Sequence, residues 1–243
     1  MTKVAVVDYG AGNLVSIAHA LARVGADVVT ADRPAQLHDA AAIVVPGVGA
    51  SGPAMRLLRR RGLVAALDRR VADGVAFLGI CLGMQLLFDT SDEDGAAGLG
   101  WLRGRVRPIP NAPRLPHIGW NLVEPVVRHP LLPRPRPYYF VHSYAADPED
   151  PAIVVARTTH GGSFASMVAI DRIVGVQFHP EKSGSDGLAF LAAFVDAVGR
   201  DGPLEGSRAA VPGSQPVTVH PGVSAAHHGD GRAPLPSTVG RRA

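Results

Sequence analysis

The stretch VAFLGI (75–80), followed without a break by CLGMQLL (81–87), decides the fold. A short unbroken apolar run is the mark of a strand buried on both faces. The reading is a strand over 75–80, a tight turn at Cys81 and a helix over 82–88. Gly79 and Gly83 bracket the cysteine in a G-x-C-x-G pattern, the thiol form of the nucleophile elbow usually written G-x-S-x-G. Glycines are needed because the turn is sharp and the backbones pack closely. Such an elbow lifts the sulfur to the carboxyl edge of an open sheet, where α/β proteins bind ligands. The helix start beneath it favours the reactive thiolate. The backbone N–H of Leu82 would face an oxyanion formed on a substrate.

Working outward, 3–8, 27–31 and 42–45 read as further buried strands. Asn13 caps a helix whose Leu14, Ile17, Leu21 and Val24 share one face. Pro53 suits the first turn of a helix running to about Asp73, with Leu63, Leu67 and Val71 on one side. Continuous apolar strands alternating with helices predict an α/β fold: a doubly wound, mostly parallel sheet. After residue 100 the rhythm changes to short strands at 101–107, 117–123, 138–141, 153–157, 164–170 and 173–178, punctuated by proline. These predict antiparallel additions at one side of the sheet. A helix at about 186–199 closes a domain over 1–200. From 201 to 243 the composition turns to Gly, Pro, Ser, Ala and His without apolar period, which predicts a disordered tail. Truncation after about Arg200 is therefore expected to leave folding intact. His220, His227 and His228 in that tail are read as tail composition rather than a metal site.

Bulk properties narrow the function. The 243 residues suffice for one sizeable domain, and 24 basic against 21 acidic residues leave a net charge of only +3, no footprint for nucleic acid. No apolar run is long enough to cross a membrane, and the start MTKVAVVDYG lacks the pattern of a secretory leader, so a cytoplasmic setting is expected. With Cys81 the only cysteine, no intramolecular disulfide can form. A lone cysteine is usually a small buried hydrophobe; the elbow around this one argues otherwise.

Two further runs complete a chemistry. GVQFHPEKSG (175–184) supplies His179 with Glu181 two residues on. In extended chain, side chains at i and i+2 project to one side, so Glu181 would take one ring nitrogen of His179 and leave the other for Cys81. That is the logic of nucleophile, base and orienting carboxylate. VPGVGASG (45–52) is a glycine-rich loop after a strand, of the kind that presents N–H groups to an anion. Gly10-Ala11-Gly12 hints at a dinucleotide fingerprint, but Val15 stands where the third glycine is needed.

Taken together, PGVG (46–49), GICLGMQLLF (79–88) and QFHPEKSG (177–184) resemble the signature runs of the class I glutamine amidotransferases. DYGAGNL (8–14), LPHIGWN (115–121), YYFVHSY (138–144) and EKSGSDGL (181–188) are most similar to the glutaminase subunits of imidazole glycerol phosphate synthase, in histidine biosynthesis. The resemblance covers residues 3 to about 199. It implies that Cys81 attacks the glutamine amide, that His179 relays the proton and that Glu181 orients His179. It implies an oxyanion hole from Val48 and Leu82, and a glutamine site at Gly47, Gly49, Gln85, Ser143 and Tyr144. Asn13, Trp120 and Lys182 would face a (β/α)8-barrel synthase subunit in a heterodimer that receives the ammonia. No metal or organic cofactor is implied.

The sequence departs from the family at one place. A bulky aromatic usually follows PGVG, where this chain has Ala50, Ser51 and Gly52, so the packing of that loop is expected to differ. The rival readings are a glutaminase serving another synthase (for pyridoxal phosphate, anthranilate or a surface-polysaccharide sugar), a catalytically silent regulatory or scaffold protein on the same fold, and a cysteine hydrolase or chaperone of the wider elbow-bearing α/β group. The His117–Asn121 run argues against the first. The intact Cys81, His179 and Glu181 argue against the second. The His-x-Glu pair argues against the third.

Overall fold

The computed structural model describes residues 1–10, 13–200 and 204. Strands β1 (Lys3–Val7), β2 (Asp27–Ala31), β3 (Ala42–Gly47) and β4 (Ala76–Cys81) alternate with helices α1 (Leu14–Arg23), α2 (Ser51–Arg60) and α3 (Leu63–Ala72). After Cys81 come α4 (Leu82–Gln85), β5 (Phe88–Ser91), β6 (Leu102–Pro108), β7 (His117–Pro125), β8 (Arg136–His142) and β9 (Tyr144–Pro148). The last elements are β10 (Val154–His160), β11 (Gly162–Ile170), β12 (Ile173–Val176) and α5 (Gly184–Val198). The main sheet runs β2-β1-β3-β4-β12-β11-β10-β7-β8. From β2 to β12 the neighbours are parallel; from β12 to β8 they are antiparallel.

Two apolar layers flank this sheet. Strand side chains alternate between faces, so Val4 and Val6 of β1 join α1 and α5, while Ala5 and Val7 join α2 and α3. Helix α5 places Phe190, Leu191, Phe194 and Val195 in the first layer. At about 1.5–3 kcal/mol for each large apolar side chain buried, that stripe alone fixes the helix on the sheet.

The antiparallel additions lie at one side of the sheet, as the short proline-punctuated strands imply, but β6 is not among them. It forms a separate three-stranded sheet with β5 and β9. The single helix expected from Pro53 to Asp73 is two helices, because Gly62 adopts the left-handed conformation at φ 67° and breaks the ladder. The helix expected over 82–88 is one turn. The carbonyls of Leu86 and Leu87 are taken by the N–H groups of Leu99 and Leu102, at 2.7 and 2.9 Å, and the chain leaves as β5. Beyond the expected boundary at residue 200, Leu204 is buried in the first layer, with its N–H on the Asp171 carbonyl at 2.6 Å. A cut after Arg200 removes a core side chain. The rest of the tail lies outside the described residues.

The elbow itself is set by close approach. A Cβ on Gly83 would overlap the carbonyl oxygen of Val45 in β3, and one on Gly79 would lie 2.5 Å from the Gly83 carbonyl oxygen. By contrast Gly25, at φ +89°, faces open space. Gly83→Ala is expected to cost about 3 kcal/mol or more, because rigid backbone must move, and Gly25→Ala about 1 kcal/mol, for backbone conformation alone. Urea unfolding of the two variants checks this; equal losses would contradict the packing account.

Candidate active site

Cys81 ends β4 with φ 54° and ψ −107°, a backbone conformation rarely adopted by a non-glycine residue. The turn holds it there because Gly79 and Gly83 let β4, α4 and β3 close around it. Gly47, the last residue of β3, pairs directly with Cys81 across the parallel ladder. Val48 therefore leaves β3 beside the cysteine and is 44% exposed, while Leu82 follows the cysteine on the other side and is buried. Gly49 sits at φ +91° with open space around it. Where the family's aromatic is missing, the Asp94 carboxylate accepts a hydrogen bond from the Gly52 N–H at 2.6 Å and fills the space a side chain would need.

The histidine and the carboxylate meet, though not in extended chain. His179 is extended, and Pro180–Lys182 form a 3-10 turn that folds Glu181 back onto it. Proline opens such a turn because its fixed φ suits the first position. Glu181 Oε1 lies 2.8 Å from His179 Nδ1, with side-chain exposures of 4% and 3%. Ser183 Oγ braces the turn by donating to the His179 carbonyl at 2.6 Å and accepting from the Tyr139 N–H at 3.0 Å. Burial alone would lower the His179 pKa. The neighbouring Cys81 and Glu181 outweigh it and lift the value to about 9. Of the two, Cys81 is the larger cause and the Glu181 hydrogen bond the next, although His179 Nε2 is buried and makes no hydrogen bond of ordinary geometry among the described residues.

Of the glutamine-site candidates, Gln85 and Tyr144 are joined to Cys81 through Gln177. The side-chain nitrogen of Gln85 donates to the Tyr144 carbonyl at 2.9 Å and to Gln177 Oε1 at 3.0 Å. Gln177 in turn donates to Cys81 Sγ at 3.5 Å. Tyr144 thus contributes its backbone carbonyl, and the Ser143 carbonyl accepts from the Ile109 N–H at 3.0 Å. Asn13 caps α1, accepting from the Ser16 N–H at 3.4 Å. Trp120 is 57% exposed on β7 and faces the Tyr139 ring at 6.4 Å, edge to face; Lys182 Nζ lies 5.8 Å from the same ring.

Sequence reasoning missed Tyr9, Gln177 and His142. Tyr9 is fully buried, its hydroxyl has no hydrogen bond among the described residues, and a Cβ on Gly47 would strike it. Burial first, and Cys81 next, push its phenol pKa up. Gln177 stood in plain view inside QFHPE, two residues before the histidine. Among the described residues no cluster of three or more His, Cys, Asp or Glu is arranged to hold a metal, and no helix is long and apolar enough to cross a membrane. A cavity of about 430 Å³ lined by Asp68, Val71, Trp101 and Ile173 lies at the amino-terminal end of β4 and β12, away from the cysteine, and contains none of this constellation.

Comparison with known proteins gives a consistent picture. A family model described as glutamine amidotransferase class-I matches residues 5–197. The chain is 48% identical over 196 residues to imidazole glycerol phosphate synthase subunit HisH of Symbiobacterium thermophilum, covering 79% of this chain and 92% of that protein. It is 47% identical over 206 residues to the subunit of the same name from Microcystis aeruginosa, covering 82% and 97%. Among solved structures, a glutamine amidotransferase aligns with TM-score 0.66 at 22% identity, over 81% of this chain and 99% of that one. PurLQS from Thermotoga maritima aligns with TM-score 0.66 at 19% identity, over 81% and 98%. At those identities the structural matches show the fold.

The raised His179 pKa sets a stability signature. A group whose pKa is higher in the folded state stabilises below its unfolded value, 6.5, and loses that contribution as pH rises through about 9. Between pH 6 and 9.5 the wild type should lose more unfolding free energy than His179→Asn, by on the order of 3 kcal/mol. Urea titrations at the two pH values measure it; parallel losses would show that the proton is not held.

Proposed function

Because the chain belongs to the class I glutamine amidotransferases, and among them to the family of HisH subunits of imidazole glycerol phosphate synthase, we propose that it is the glutaminase subunit of that synthase. It hydrolyses glutamine to glutamate and ammonia with the Cys81, His179 and Glu181 constellation. The observation that carries the reading is a buried His179–Glu181 pair beside a cysteine held on a strained strand-to-helix elbow.

In this reading the Cys81 sulfur attacks the side-chain carbonyl carbon of glutamine, and the carbonyl electrons move to oxygen. The N–H groups of Val48 and Leu82 receive that oxyanion from the two sides of the cysteine; a single donor of this kind is worth about 3–4 kcal/mol in other enzymes. Protonated His179 delivers its proton to the departing nitrogen, and ammonia leaves a thioester on Cys81. Neutral His179 then takes a proton from water as it attacks, and glutamate departs. Glu181 holds Nδ1 of His179 so that Nε2 serves both transfers. Gly47, Gly49, Gln85, Ser143 and Tyr144 form the surroundings of the glutamine. These steps use side chains and water, and the reading calls for no metal or organic cofactor.

The partner is a (β/α)8-barrel synthase subunit that takes up the ammonia. The outer face of β7 suits it: Ile118, Trp120 and Leu122 are 60, 57 and 44% exposed on alternate positions. An exposed apolar strip with an aromatic anchor beside a lysine is the usual make-up of an interface core and its rim. Exposed Val48 ties the oxyanion loop to the molecular surface, so partner binding can bias that loop toward the donor-in state.

Cys81→Ser should lower glutamine-dependent turnover of the assembled synthase by ~10³-fold or more while ammonia-dependent turnover persists. Glutamine hydrolysis by the Ser variant near the wild-type rate would overturn the nucleophile assignment. Glutamate release should also be slow for the chain alone and rise on addition of the synthase subunit with its nucleotide substrate. Equal rates in the two conditions would rule out control through the Val48 loop.

A further inference from the structure

Behind the glutamine-site residues lies a buried run of imidazoles that the proposed reaction does not use. His142 Nδ1 is 2.8 Å from the Tyr144 carbonyl oxygen. A carbonyl only accepts, so Nδ1 carries the proton. His142 Nε2 then accepts, and its neighbour at 3.2 Å is His117 Nδ1, which must donate. His117 Nε2 is left as an acceptor, and it meets the Asn121 side-chain nitrogen at 3.2 Å. That nitrogen also donates to the Thr159 carbonyl at 2.9 Å, while Asn121 Oδ1 accepts from the Leu122 N–H at 2.8 Å. Every orientation in the run is thereby fixed by a backbone group at one end or the other.

The Tyr144 carbonyl is the node. It accepts from His142 on one side and from Gln85 on the other, which fills both of its lone pairs. Beyond Gln85 the contacts pass to Gln177 and the Cys81 sulfur. Both histidines are held neutral. Burial drives the His142 pKa down to about 3 and, with His160 as a second cause, the His117 pKa down to about 4. The His160 ring stacks on His117 at 4.1 Å and closes the run on its outer side.

We propose that His142 and, one bond further out, His117 are positioning residues for the glutaminase reaction. As neutral rings protonated at Nδ1, they fix the Tyr144 carbonyl and through it the Gln85 amide beside Cys81. The relay rests on the glutaminase reading for its purpose and on the hydrogen-bond geometry for its existence. It begins on β7, whose outer face carries Trp120 and Ile118. The surface assigned to the partner and the head of the relay are therefore opposite faces of one strand.

Two variants separate positioning from packing. His142→Phe keeps a ring of similar shape and removes both bonds. His142→Asn loses the ring but keeps a donor near the place of Nδ1. If hydrogen bonding to Tyr144 is what matters, the Phe variant raises KM for glutamine by about tenfold or more, and the Asn variant stays within about threefold of wild type. If the ring only fills space, the order reverses, and that result overturns the proposal. The same follows if both variants behave as wild type. A second measurement needs no activity: nitrogen chemical shifts of the imidazoles in the resting chain between pH 5 and 8. Both rings should read as neutral and protonated at Nδ1 throughout. A ring protonated at Nε2, or one titrating near 6.5, overturns the relay. Because this readout is taken without glutamine, failure of the relay stays distinct from failure of the glutaminase reading.

Discussion

Gly83 lies so close to the Val45 carbonyl that no side chain fits between them, and the geometry of the site follows from that approach. Seating α4 directly against β3 makes the turn after β4 abrupt and leaves Cys81 in a strained conformation at the carboxyl edge. The same approach pairs Gly47 with Cys81, so the loop that follows β3 begins at the cysteine. Were α4 an ångström further out, the sulfur, the Leu82 N–H and the Val48 loop would not share one small space. The strain at Cys81 is supported by two extensive apolar layers, whose burial far exceeds the 1–3 kcal/mol that such a backbone outlier costs.

The electrostatics then divide the buried histidines by their neighbours. His179 has a carboxylate and the cysteine beside it and is held protonated to about pH 9; His142 has a carbonyl and another imidazole and stays neutral down to about pH 3. Burial pushes both the same way. What separates them is whether an anionic partner stands within hydrogen-bond reach. One ring is thus suited to moving a proton and the other to holding a position.

Much of this was legible in the chain. The apolar run at 75–80 and the bracketing glycines located the elbow, because buried parallel strands and close approaches leave strong local marks. The pairing of His179 with Glu181 was also foreseen, but for the wrong reason: the chain turns at Pro180, and the contact is made by a 3-10 turn rather than by strand alternation. The break at Gly62 was missed because the apolar period continues across it, and periodicity is blind to a single left-handed residue. Strand β5 and the second sheet were missed because Leu86 and Leu87 bond to residues more than ten positions away, a choice made by tertiary contacts. The contacts of Tyr9, Gln177 and His142 depend on which side chains meet across strands, and no local pattern records that.

The central claim is that the sulfur of Cys81 attacks the side-chain carbonyl of glutamine with His179 as its proton carrier. It is tested most directly with a glutamine analogue carrying a chloroketone in place of the side-chain amide, followed by intact-mass measurement and peptide mapping. The account predicts one adduct per chain, on Cys81, suppressed by excess glutamine and strongly slowed in His179→Asn. An adduct that forms elsewhere, or forms on Cys81 at the same rate with glutamine present, would contradict it.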